Sequence, residues 1–178
     1  MRKQKGFSLI ELLIVVAIIL IIAAIAIPSL LRSRMLAQQS AAASTIRSLN
    51  TAETTFQVTY PLTGYSNTLF ALGPPAGGCP APPAIPPATN ACLIDPVLAC
   101  AAPPCTKGQY QYQIFAGAAV NGVIPDYVAS SIPINVGTSG NYNYCSTPTL
   151  IIYQAPGTAV LAPTVAACTA APYAALPN

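Results

Sequence analysis

The sequence predicts an α+β chain. One long amino-terminal helix, apolar along its first half, packs against a small antiparallel β-sheet head with disulfide-stapled loops. Three observations carry this. From Phe7 to Leu31 the sole ionisable side chain is Glu11, and no Gly or Pro interrupts Ser33 to Val58. Strand-like segments appear only in the second half of the chain, and six cysteines lie between Cys79 and Cys168. A helical run followed by a run of strands reads as α+β.

The first element is the most strongly written. Leu12 to Ile27 consists of Leu, Ile, Val and Ala alone, and the apolar segment as a whole makes a helix of roughly 37 Å, enough to cross a bilayer. Pro28 lacks an amide hydrogen and is expected to bend or loosen the helix near Ala24 to Ile27. Beyond it, Ser33 to Val58 is rich in Ala, Gln, Arg and Leu, so the helix continues to about Thr59. Met35, Ala42, Ile46, Leu49 and Phe56 share one narrow face at helical periodicity and should meet the head. Glu53 falls inside that stripe with no partner evident in the sequence.

Two short helices are expected next. One spans Asn67 to Leu72, with Ser66 or Asn67 as cap and Gly73 as stop; the other spans Cys92 to Ala99, or begins at Asp95-Pro96. Residues 74–105 are dense in Pro, Gly and Cys and read as an irregular stapled loop. Three strands follow in the expectation: Gln109 to Phe115, where Gln alternates with Tyr and Ile; Asp126 to Ile134; and Thr149 to Tyr153.

Charge narrows the functional classes. Only 6% of residues are charged and there is no histidine, far below the roughly 25% of an ordinary soluble domain. The net charge of +3 rests on Arg2, Lys3 and Lys5. After Gly6, Arg32, Arg34, Arg47 and Lys107 balance Glu11, Glu53, Asp95 and Asp126. That removes the argument for a strongly basic nucleic-acid binder and leaves only a weak or tip-localised DNA contact open. A Ser or Cys nucleophile would lack a histidine base, the head acids are widely spaced, and no phosphate-binding glycine loop occurs, so no catalytic residues are assigned.

Three readings of the amino terminus compete. A secretory signal peptide would be cut after Ala24-Ile25-Ala26, leaving a stapled binding domain that starts at Ile27. A plain single-pass anchor also fits. Glu11 weighs against both, because neither gives a carboxylate in an apolar run a partner; the bland alternative is that Glu11 snorkels to the interface. The combination is more specific than its parts. A short basic leader ends in Gly6, Phe7 follows, Glu11 is the fifth residue after that glycine, and an apolar helix with Pro28 comes next. This resembles the amino-terminal signature of type IV prepilins and the related type II secretion pseudopilins over residues 1 to about 31.

The resemblance implies a division into leader (1–6), transmembrane and filament-core helix (7–31), amphipathic helical continuation (32–59) and globular head (60–178). It implies that a prepilin peptidase cuts between Gly6 and Phe7 and methylates the new amine of Phe7. Gly6 suits this, since it presents no side chain to the enzyme. In a filament, the Glu11 carboxylate of one subunit then pairs with the Phe7 amine of the next. Two charges 4 Å apart attract by about 4 kcal/mol at an effective dielectric of 20, against a desolvation cost of similar order. Glu11 therefore sets subunit register rather than supplying cohesion. The implied partners are other copies of the chain and related pilins, the peptidase, a pilus assembly platform and, before assembly, the bacterial inner membrane. The fibre would serve adhesion, twitching motility or DNA uptake.

Cys79, Cys92, Cys100, Cys105, Cys145 and Cys168 are even in number in a chain expected outside the cytoplasmic membrane, where disulfides form. All pairings are formally open. Proximity favours Cys79 with Cys92, Cys100 with Cys105 and Cys145 with Cys168, the last resembling the bridge that closes the carboxy-terminal loop of many pilins. Without His or a C-x-x-C pair, structural zinc is not expected. The competing reading, a secretion pseudopilin, commonly holds calcium, for which Asp95 and Asp126 are a meagre ligand set. No cofactor is expected.

Overall fold

The computed structural model describes residues 6–81, 84–158 and 160–176. Arg2, Lys3 and Lys5 of the leader, and residues 82–83 of the Pro-rich loop, lie outside the described residues. The chain divides into two compact units, with the boundary between Leu36 and Ala37.

Helix α1, Leu9–Thr59, is common to both units. It runs through Pro28 without a break in the helical assignment. The ring removes one amide from the ladder, and the long apolar helix on either side continues regardless. In the first unit the helix stands alone, with its large apolar side chains exposed from Leu9 to Leu31.

In the second unit, Ala42, Ile46, Leu49 and Phe56 of α1 are buried against one face of a six-stranded antiparallel sheet. Met35, the first member of the expected stripe, is only partly buried and belongs to the other unit. The strands are β1 (Cys105–Lys107), β2 (Tyr110–Ala116), β3 (Tyr127–Pro133), β4 (Tyr142–Ser146), β5 (Ile152–Pro156) and β6 (Ala174–Ala175), each beside its neighbour in sequence. The tyrosines of β2 fulfil the alternation: Tyr110, Tyr112 and Ile114 turn to the helix while Gln111, Gln113 and Phe115 are half-buried on the other side. Gly108 (φ +63°) supplies the left-handed residue that a tight turn needs between Lys107 and Tyr110.

Strand β3 is buried at all seven positions because the sheet is covered on both faces. Behind it, Val128 and Cys145 pack with Ala162 and Cys168, joined by Phe115, Tyr153, Val165 and Tyr173. A short helix α3, Val165–Thr169, capped by the Thr164 hydroxyl accepting from the Ala167 amide at 3.1 Å, supplies part of this cover. The Cys145–Cys168 disulfide ties it to β4.

Several sequence expectations are corrected. Helix α2 is shorter than expected, Leu69–Leu72, and its cap is Thr68 rather than Ser66 or Asn67. Ser66 is unavailable because its amide and hydroxyl both serve Glu53. No helix forms over Cys92 to Ala99. Cys92 is left-handed (φ 58°), and the amides of Ala91, Leu93 and Ile94 bond to the carbonyls of Ala71 and Leu72. Asp95 makes only a local turn, its Oδ1 accepting from the Val97 and Leu98 amides at 3.1 Å. The last expected strand lies later, at Ile152–Pro156, since Leu150 is left-handed (φ 62°) and bonded back to Thr147. Strands β1, β4 and β6 and helix α3 come in addition to the expected elements.

Candidate functional site

Gly6, Phe7, Glu11 and Pro28, which the sequence singles out, belong to the first unit. Gly6 is open, with nothing within 4 Å of the place a side chain would take. Phe7 is 83% exposed. Ser8 immediately precedes the first residue of α1, and its amide donates to Oε2 of Glu11 at 2.9 Å. Ser8-Leu9-Ile10-Glu11 is thus one half of a capping box, in which an acidic side chain in the first turn reaches back to an otherwise orphaned amide. Its charge also lies favourably at the positive end of the helix dipole. This partner within the same turn is nearer than either lipid or a neighbouring amine. The S-x-x-E spacing ahead of an apolar run was the available signal.

Around this carboxylate the helix is apolar on every side. Its richest 18-residue window has a mean hydropathy of 3.3 with no residue buried within the chain. A surface of that size is covered by lipid or by other chains in a functioning molecule.

The second unit shows how Glu53 is satisfied. That side chain is fully buried, accepting from the Ser66 amide at 2.9 Å and from the Ser66 hydroxyl at 2.5 Å. Burial pushes its carboxyl up from 4.5 to about 7, with the two Ser66 bonds pulling the other way. One turn earlier Asn50 accepts from the Tyr127 hydroxyl at 3.0 Å and donates to the Ser146 hydroxyl at 2.8 Å, fixing α1 to β3 and β4. Among the described residues the only ion pair is Lys107 with Asp95, Nζ to Oδ2 at 2.6 Å. The cysteines form three bridges, Cys79–Cys92, Cys100–Cys105 and Cys145–Cys168. The first two hold the Pro-rich loop and the last holds the carboxy-terminal cover.

Comparison with known proteins bears on the amino-terminal segment. Residues 1–27 match the prokaryotic N-terminal methylation motif. The chain is similar to the type IV major pilin protein PilA of Myxococcus xanthus, 48% identical over 54 residues, which is 30% of this chain and 24% of that protein. It is also similar to the type IV wide pilus major component PilA4 of Thermus thermophilus, 68% identical over 34 residues, 19% of this chain and 26% of that protein. The matched stretch spans about a quarter of the length of either relative. No solved structure matches the chain. The methylation motif, the two pilins and the α+β fold with its disulfides together support a type IV pilin.

Proposed function

We propose that the chain is a structural subunit of a type IV pilus, built by polymerisation through its amino-terminal helix. The observation that carries this reading is a single carboxylate, Glu11, in the otherwise apolar and exposed Leu9–Leu31 stretch of α1, within the segment that bears the methylation motif. Cleavage between Gly6 and Phe7, followed by methylation, leaves a positive amine four residues from Glu11 in sequence. In the isolated chain Glu11 caps its own helix through Ser8. In the assembled fibre it takes the Phe7 amine of the neighbouring copy, and leaving either charge unpaired in the fibre core costs several kcal/mol. Apolar helices slide past one another with little preference, so the charge pair fixes their stagger, as a buried polar residue fixes register in coiled coils.

The division into leader, membrane and fibre-core helix, helical continuation and head belongs to the same proposal, as do the prepilin peptidase, the assembly platform and residence in the inner membrane before assembly. Pro28 is the position at which the helix would open once neighbouring chains supply contacts to the freed carbonyl. The role of the fibre, whether adhesion, twitching or DNA uptake, follows from partners outside the chain.

The test is direct. Filaments sheared from cells should contain this chain beginning at methylated Phe7, and Glu11→Gln should leave cut, membrane-held chain with few filaments. A mature chain starting at Ile27, or normal filaments from Glu11→Gln, would overturn the reading. Loss of head stability on adding a calcium chelator would favour a secretion pseudopilus instead.

A further inference from the structure

The second unit has five acidic or basic side chains: Arg47, Glu53, Asp95, Lys107 and Asp126. Glu53 is buried on Ser66, and Asp95 is paired with Lys107. That leaves Arg47 and Asp126 without an ion-pair partner among the described residues, one of each sign. In a head so poor in charge, the two that remain uncompensated are a specific pattern.

Each lines a concavity, and the two lie on opposite faces of the sheet. Arg47 is exposed on the flank of α1, beside Leu150, Ile151 and Leu176, where two adjoining hollows meet. This is the side of the sheet that α1 covers. Asp126 immediately precedes β3 and lines the same recess as Val128. Its recess is formed by Phe115, Val128, Thr164 and Val165, on the side covered by α3. Oδ1 of Asp126 lies over Gly117, in the space that a side chain at that position would take.

We propose that the Arg47 flank of one copy docks into the Asp126 recess of a second copy, guanidinium to carboxylate. This rests on the pilus reading and adds the head contact to it. A planar guanidinium on a long stem can enter such a recess and meet the carboxylate with two parallel hydrogen bonds. Leu150 and Ile151 around Arg47, exposed in the single chain, would be covered by the docked copy. The two patches differ and face opposite ways, so the contact is head-to-tail. A head-to-tail contact that does not close on itself propagates as a helical filament. The charge balance of the head also limits the contact to one orientation, since two like patches repel.

Charge reversal tests it in the full chain. Arg47→Glu alone and Asp126→Lys alone should each lower the yield of sheared filament about tenfold or more, with the amount of cut, membrane-held chain unchanged. The double variant should restore the yield. Because the contact is heterologous, co-producing the two single variants in one cell should restore it as well. Normal filaments from either single variant, or no recovery in both rescue experiments, would overturn the proposal. A separate measurement keeps it distinct from the pilus reading. In Arg47→Lys chains, a zero-length carbodiimide should join Lys at 47 of one copy to Asp126 of another, identified as the linked peptide. If cells release no filament containing the chain, the pilus reading fails. The linked peptide in membranes would still uphold the pairing, and its absence there would remove it.

Discussion

At Glu53 a carboxylate lies wholly inside the head, between α1 and the loop that carries Ser66. Its carboxyl sits near 7 in the folded chain against an ordinary 4.5, chiefly because burial disfavours the charged form. Between those values the folded chain holds more protons than the unfolded one, so stability falls as pH rises through this window and levels off above it. The loss is on the order of 3 kcal/mol. Thermal unfolding of the full chain in detergent should therefore show a higher midpoint at pH 5 than at pH 8, and Glu53→Gln should flatten the difference. Ser66→Ala removes one of the two donors to a buried acceptor and should destabilise by about 1–3 kcal/mol, most visibly at pH 8 where the carboxylate is charged. Stability that rises instead from pH 5 to pH 8 in a Glu53-dependent way would contradict this account. The sequence showed that Glu53 falls in the core stripe. It did not show the partner, since Ser66 lies beyond the end of the helix and reaches Glu53 only after the chain turns back at Pro61 to Gly64.

At the scale of elements, the sheet works because each face has its own cover. Phe56 anchors the α1 side at 1% exposure, its ring tilted against that of Tyr60 with centroids 4.8 Å apart. Phe56→Ala should cost about 3–5 kcal/mol, read as a lowered midpoint in denaturant. On the other side the cover is thin, one short helix and loop, and the Cys145–Cys168 bridge holds it. Closing a loop of that length stabilises by roughly 3 kcal/mol in the chain-entropy model. Replacing both cysteines with Ala should lower stability by about that amount and open residues 160–176 to proteolysis before the rest of the head. Intact resistance of that segment would show that the apolar contacts of Val128 and Ala162 suffice alone. Strand β2 was legible because its alternation of Gln and Tyr matches one covered and one partly covered face. Strand β4 was not: Asn143 within it is a weak strand former, buried at 1% because the carboxy-terminal cover lies over it. Asn143 is held there by accepting from Thr158 and donating to the Thr158 hydroxyl and the Val160 carbonyl, partners that no local pattern announces.

At the scale of the molecule, the two units divide the work. The amino-terminal helix supplies apolar surface and one carboxylate; the head supplies a folded body with two unpaired charges. Glu11→Gln and the Arg47–Asp126 reversals act on different units and should fail differently. On the pilus reading the first removes the proposed register contact while leaving the head surface unchanged, so Glu11→Gln should not be rescued by co-production with either head variant. Sheared-filament yield from such mixed cells measures this. Rescue would mean that both variants perturb one common contact.

The amino-terminal segment was readable from the sequence alone, because a membrane-length apolar run, a glycine before Phe7 and a lone acid are local patterns that hold whatever the rest of the chain does. The long helix and the tyrosine strand were readable for the same reason: their periodicity is written within a few turns or residues. Only the tertiary structure decided how many strands the sheet has, which residue caps α2, what satisfies Glu53 and which two charges are left over. Each of these depends on groups far apart in the chain meeting in space, and a hydrogen bond or ion pair of that kind leaves no trace in local spacing.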